Sequence, residues 1–454
     1  MHSRSDRRPT LPVTDPRPSA ALFEGPSTDL ATDVEPGRTS AIAALRYRDF
    51  RLFWFGLLVS NTGTWMQMFG QGYLVVQLAV QGGVPQLAPL YLGLVGLARA
   101  IPGLSLGLFG GAIADRSDRR RLLLVTQSCA AVVAGILAGL TFAGHITVPE
   151  ILLLGALNST IFAFDAPTRQ SMVPRLVPKR DLLSAIGLNS AAFTGPQVIG
   201  PVIGGLIFAP FAATPFLGLG ILFAINATSY LAVVVALLRM RPIPVRGRAR
   251  ELPMLDSIRE GLRYIRRDPV SRWVILLSVG SSLFARPYIQ LLPAVAHDVL
   301  HVGAVELSWM LAASGSGALV GALVTASLGA FQRRGVLLLG SVGAFGLLLA
   351  GFAIQRELVA TLPFLVGLGL VTMLFNGMGN TILQTKSPEH LRGRVMSVYT
   401  MVFLGLMPLG SLVLGVAGTV VGTGTALLIG GLVLFGAAGY TAARAPQIRD
   451  LRAS

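Results

Sequence analysis

Asp115, Arg116, Asp118, Arg119, Arg120 and Arg121 crowd into one short turn between two long apolar runs. Charges at that density do not lie in hydrocarbon, so the turn emerges at a membrane face. Its four arginines mark that face as cytoplasmic, because short loops rich in Lys and Arg stay inside. A few ionisable residues lie inside apolar runs instead. Asp165 falls near the end of one run with Arg169 four positions on, while Arg99 and Arg286 fall near the middle of two others. An embedded charge costs about 2.5–3.5 kcal/mol on insertion scales, so each is a candidate for function. Arginines facing a central cavity would bind anionic or carbonyl-bearing groups; the other reading is a structural arginine bonded to helix carbonyls. Asn158, Phe162, Asp165 and Arg169 share one helix face, so Asp165 and Arg169 can also pair with each other.

The remaining acids lie in loops, tails or helix ends, which makes Asp165 or Asp115 the candidate proton carrier. His297, Asp298, His301 and Glu306 are a weaker candidate, readable as a wet loop. Two histidines four apart do not define a metal site, and no Lys-Ser/Thr phosphate loop is present, so ATP is not the fuel. Neither metal nor cofactor is implied, and the chain does not read as an enzyme. Polar and aromatic residues inside apolar runs outline a candidate substrate cavity: Asn61, Trp65, Met68 and Gln71 at helical spacing in the first run, then Asn189 and Gln197. Tyr288, Gln290, Asn376, Asn380 and Gln384 continue it, with Arg99 and Arg286. A few polar groups in an apolar pocket suit an amphipathic ligand, although each residue singly also serves as helix-packing glue.

The elements that must position these residues follow from hydropathy. The chain has 454 residues, of which 53% are hydrophobic and 13% charged, against about 25% charged in soluble proteins. A net charge of +16 would suggest nucleic acid if the arginines formed one patch, but they are parcelled out between apolar runs. The single cysteine, Cys129, excludes an intramolecular disulfide. A bilayer core needs about 20 apolar residues per helix. Runs of that size give twelve spans, near 50–80, 88–112, 121–143, 149–172, 183–209 and 216–238, then 272–296, 306–329, 335–355, 359–385, 393–418 and 424–443. With both termini inside, the basic loops all fall on the cytoplasmic face, and the outer loops hold a single arginine, Arg356.

This divides the chain into a disordered cytoplasmic tail (1–45), a six-helix bundle (46–238), a basic linker (239–271), a second six-helix bundle (272–444) and a short cytoplasmic tail (445–454). In the linker Leu255, Ile258, Leu262 and Ile265 fall at helical spacing among arginines, which predicts an amphipathic helix on the inner leaflet; a solvated linker is the plainer reading. The halves repeat. One fixed offset carries Gly107 and Gly111 onto Gly317 and Gly321, Pro178 onto Pro388, and Gly195, Gly200 and Gly205 onto Gly405, Gly410 and Gly415. Parallel repeats of this kind occur in secondary transporters.

The turn's Gly-x-x-x-Asp-Arg-x-x-Arg-Arg pattern, from Gly111 to Arg120/Arg121, resembles the loop between helices 2 and 3 of the major facilitator superfamily. Gly-Pro-x-x-Gly-Gly, with Gly195, Gly200, Pro201, Gly204 and Gly205 in the fifth span, resembles the antiporter motif of its exporters; Pro196 stands where the upstream glycine is expected. Phe164 to Gln170, Val173 to Pro178, Arg46 to Phe53 and Leu391 to Ser397 resemble the branch containing enterobactin-type siderophore exporters and macrolide efflux pumps. The resemblance spans roughly 45–440. It implies an all-α membrane protein of twelve transmembrane helices in two pseudo-symmetric six-helix bundles, in the cytoplasmic membrane. It implies that Asp115, Arg119 and Asp165 form a charge cluster latching one state, with Arg169 beside it. The activity it implies is export of small amphipathic molecules (drug, macrolide or siderophore) by proton antiport and alternating access, by a monomer whose partners are lipid, substrate and protons. An uptake symporter or facilitator, and a non-transporting sensor or assembly partner, are the competing readings.

Overall fold

The computed structural model describes residues 40–241, 254–327 and 333–451; the side chains of 107–112, 114–116, 254–258 and 404 also fall outside the described set. The apolar runs are helical because hydrocarbon offers backbone amides no partner, and a helix satisfies them within one segment. The first half consists of α1 (Arg48–Gln81), α2 (Ala88–Arg116), α3 (Arg119–Phe142), α4 (Val148–Met172), α5 (Leu182–Phe208) and α6 (Pro215–Arg239). After α7 (Met254–Arg267), one span is built from α8 (Pro269–Gly280), a π-helical turn at Ser281–Ala285, and α9 (Tyr288–Asp298). Then follow α10 (Ala304–Ser327), α11 (Arg334–Ala353), α12 (Leu358–Lys386), α13 (Glu389–Val421), α14 (Thr423–Arg444) and the short α15 (Pro446–Arg449).

Among the described residues, eleven helical segments are long and apolar enough to cross a membrane. The twelfth span is α1, which is 34 residues long but carries Asn61, Thr62, Thr64, Gln67, Gln71 and Gln77 along its length. Such a polar helix must turn those groups away from lipid, which is the first sign that α1 faces a cavity.

In the first bundle α1 packs on α5 and α6, α2 on α4, and α3 on α4 and α6; in the second, α10 packs on α12, α11 on α12 and α14, and α13 on α14. The bundles meet where α5 lies against α10 and α2 against α13. The repeated glycines sit at matching crossings. A Cβ on Gly200 would meet Thr62 O of α1 at 2.9 Å, and one on Gly410 would meet Ser282 O and Leu283 O at 2.5 Å in the first span of the second half. Likewise Gly205 abuts Ser308 of α10, while Gly415 lies 2.5 Å from Pro89 O of α2 by the same measure. Only glycine lets backbones approach this closely. Pro178 and Pro388, also related by the repeat, both adopt extended conformations leading into α5 and α13.

Two described segments outside the spans are docked. Ala43–Arg46 form a 3₁₀ turn, where Ala44 N–H donates to Ser184 Oγ (3.1 Å) and Ser184 Oγ donates to Ala41 O (2.8 Å). The residues at the end of the expected tail therefore pack on α5; residues 1–39 lie outside the described set. The amphipathic helix expected in the linker is α7. It is held against the second bundle: Glu260 pairs with Arg394, Tyr264 Oη donates to Lys386 O at 3.1 Å, and Ile265 is buried. Burial, with Asp268 nearby, raises the Tyr264 pKa. Leu262 stays exposed, and the side chains of Leu255 and Ile258 are outside the described set.

Candidate functional site: a cavity between the bundles

A cavity of about 300 Å³ opens between the two bundles. The first bundle contributes Trp65, Met68 and Gln71 from α1, Arg99 from α2 and Gln197 from α5; the second contributes Arg286, Tyr288 and Gln290. All eight are residues that the sequence marks out. Helical spacing puts Trp65, Met68 and Gln71 on one face of α1, and that face turns inward because α5 and α6 cover the others.

Arg286 is placed by an irregularity. Its N–H bonds to Ser281 O at 2.9 Å, closing the π turn, and Pro287 follows without a donor. π turns recur at functional sites because they re-aim a side chain. Here Arg286 Nη1 donates to Phe403 O at 3.2 Å, and the guanidinium lies 3.6 Å from the Phe403 ring centroid. Arg99 donates to Gln71 Oε1, and its Nε has no hydrogen-bond partner among the described residues. Gln290 Nε2 reaches across the bundles to Leu92 O at 3.4 Å, and the Tyr288 and Ser314 hydroxyls are 2.7 Å apart.

Five expected cavity residues, Asn61, Asn189, Asn376, Asn380 and Gln384, are not among its lining. Asn61 is buried, donating to Ala192 O at 2.8 Å and accepting from Arg169 Nη1 at 3.3 Å. Asn189, Asn376 and Asn380 are half-buried away from the cavity; Asn376 O accepts from Tyr399 and Asn380 Oδ1 from Gln384. All five are displaced toward the side of the bundles where α1 begins and α14 ends. Asn61 is about 15 Å along α1 from Gln71 at 1.5 Å per residue, so it shares the face but not the depth. Conversely, Ser314, Thr372, Met373 and Met407 line the cavity unannounced; the run of small residues from Ala313 to Ala318 is a signal for Ser314 alone.

Asp165, buried, pairs with Arg169 on its own helix and accepts from Thr126 Oγ1 (2.9 Å) and Gln127 Nε2 (2.7 Å) of α3. The Arg169 guanidinium also lies 5.9 Å from the Phe193 ring centroid. Arg119 is buried and donates to Ser171 Oγ of α4 at 2.8 Å. Arg120 donates to Leu237 O (2.6 Å) and Leu238 O (3.0 Å), satisfying free carbonyls at the end of α6. Asp115 lies in the last turn of α2, with its side chain outside the described set. Thus Arg119 and Asp165 each tie α3 to α4, at separate points.

The bundles touch from mid-helix to the end remote from the termini. Besides the Gly205 and Gly415 crossings, a Cβ on Gly93 would meet Ser411 O at 2.7 Å, and one on Gly315 would meet Gln197 O at 2.9 Å. Toward the termini, a Cβ added at Gly187 or Gly195 would meet nothing within 4 Å among the described residues.

A cavity at the interface of two repeated six-helix bundles is the arrangement of a secondary transporter. Residues 39–452 match the family described as transmembrane secretion effector, and the chain belongs to that family within the major facilitator superfamily. It is 26% identical to the staphyloferrin A transporter of Staphylococcus aureus over 79% of this chain and 87% of that protein. It is 21% identical to macrolide efflux protein A of Streptococcus pyogenes, over 80% and 88%. The fold matches a bacterial homologue of the human lysosomal transporter Spinster in an inward-facing, unoccupied conformation, with a TM-score of 0.68 and 15% identity over 89% of this chain and 99% of that one. The protein is a multi-pass membrane transporter.

Proposed function

We propose that this transporter exports small amphipathic molecules of the drug, macrolide or siderophore kind across the cytoplasmic membrane in exchange for protons. The observation that carries this reading is the cavity at mid-helix, apolar overall but with polar groups from both bundles. Its relatives' names, a staphyloferrin A transporter and a macrolide efflux protein, support the substrate class, and the second supports the outward direction. In this reading residues 46–238 rock against 272–444, both termini are cytoplasmic, and the contacts at Gly205 and Gly415 close the outer side of an inward-facing state. The protein works as a monomer. Proton binding at Asp165 would release Arg169, and with it the link through Asn61 to α5, giving a route from protonation to helix movement. Asp115 and Arg119 steady the α2–α3 turn during that movement.

The test uses inside-out vesicles carrying the protein, an imposed proton gradient, and a panel of dyes, macrolides and siderophores. Substrate accumulation with proton release is expected. The variant D165N/R169Q, which removes both charges of the pair together, is expected to abolish proton release. Substrate flux without any proton movement would overturn antiport and favour a facilitator, which fits a cavity without a carboxylate among its described lining residues.

A further inference from the structure

The charge balance of the cavity differs from that around Arg169. Arg169 has Asp165 as its counter-charge. Arg99 and Arg286 have none in view: Arg99 meets a glutamine amide, Arg286 meets a backbone carbonyl and an aromatic ring, and no Asp or Glu is among the described lining residues. The two guanidinium groups come from opposite bundles. Arg99 keeps a buried Nε without a partner among the described residues. In a medium of low dielectric, positive charge without a counter-ion repels cations and draws anions. The ring and amide contacts orient each arginine while leaving part of its donor fork free.

Resting on the export reading, we propose that the substrate is an anionic amphiphile, its acidic group or groups held between Arg99 and Arg286 and its apolar body against Trp65, Leu92, Val95 and Pro293. A molecule engaging both arginines joins the two bundles, so the ligand itself supplies the missing counter-charge across the interface. A cationic amine of similar size is disfavoured in the same cavity. The volume of about 300 Å³ suits a body of a few rings in this state.

The probes are anilinonaphthalene sulfonate and its uncharged parent phenylnaphthylamine, which share their aromatic rings and differ in the acid group. Binding is read by energy transfer from Trp65 in lipid nanodiscs, with Trp54, Trp273 and Trp309 replaced by Phe so that Trp65 is the sole donor. The sulfonate is expected to bind at least about tenfold more tightly than the neutral probe, as for charge-assisted hydrogen bonds. R99Q and R286Q are each expected to weaken the sulfonate about tenfold and the neutral probe less than about twofold. R99K and R286K are expected to retain the preference. Equal binding of the two probes, or sulfonate binding indifferent to both glutamine variants, would overturn the proposal. Should a glutamine variant not fold, the lysine variants decide: a preference retained supports the proposal and a preference lost overturns it. Binding is read without transport. Sulfonate preference with no flux would sink export and leave the anion site between the two arginines standing; flux of neutral or cationic amphiphiles without that preference would do the reverse.

Discussion

Replacing Asp165 with Asn leaves Arg169 as a buried cation among Asn61, Phe193 and an amide. Both side chains of the pair are nearly inaccessible, at 2% and 6% for Asp165 and Arg169. The introduced asparagine would still accept from Thr126 or Gln127, but it would face Arg169 without charge. Removing one partner of a buried pair costs about 3–5 kcal/mol, whereas replacing both by apolar groups of similar volume is near neutral or stabilising. A loss of about 3 kcal/mol is roughly a hundredfold in the folding equilibrium. Denaturant unfolding in mild detergent, followed by helical circular dichroism, therefore separates three variants. D165N and R169M are each expected to be strongly destabilised, and D165N/R169M, which keeps an acceptor for Thr126 and Gln127, to lie within about 1 kcal/mol of the parent, a coupling of several kcal/mol between the two sites. Single variants as stable as the parent, or a double variant as damaged as the sum of the singles, would refute the buried-pair argument. The double variant also serves as a control, because a protein that retains its fold without the pair can still be assayed for proton flux.

Two further outcomes test the packing and the loop. Gly317→Ala puts a methyl against Val366 O and is expected to cost about 1–3 kcal/mol by overpacking. Gly187→Ala, in open space on α5, is expected to be neutral or to gain about 0.5–1 kcal/mol from reduced backbone entropy; thermal unfolding of the two variants checks the contrast. Asp118 caps α3 by accepting from Arg120 N (2.9 Å) and Arg121 N (3.3 Å), so Asp118→Ala is expected to cost about 1 kcal/mol while Asp118→Asn costs little. Amide exchange across the first turn of α3 would show it.

The spans, their number and the doubling of the chain were legible from the sequence. Hydropathy reports whether a segment can lie in lipid, and that depends on the segment alone. The glycines of the repeat were legible too, because a helix crossing demands a small residue wherever it occurs, and Gly200 and Gly410 meet that demand in both halves. Helical spacing also found the inward face of α1 from Trp65 to Gln71. It could not find depth. Asn61 satisfies the same spacing, yet at its level α4 and α5 close in and claim its amide. Pairing was equally a tertiary matter. Asp165, Arg119 and Arg169 are of the types a charge cluster needs, but which acid meets which cation depends on where α3 lies against α4. There α3 presents Thr126 and Gln127 to Asp165, while Arg119 reaches Ser171. Likewise the sequence marked Arg99 and Arg286 as costly charges, and only the packing of the two bundles put them on one cavity without a described carboxylate between them. Periodicity acts along one helix; the counter-charge of a buried group is supplied by its neighbours.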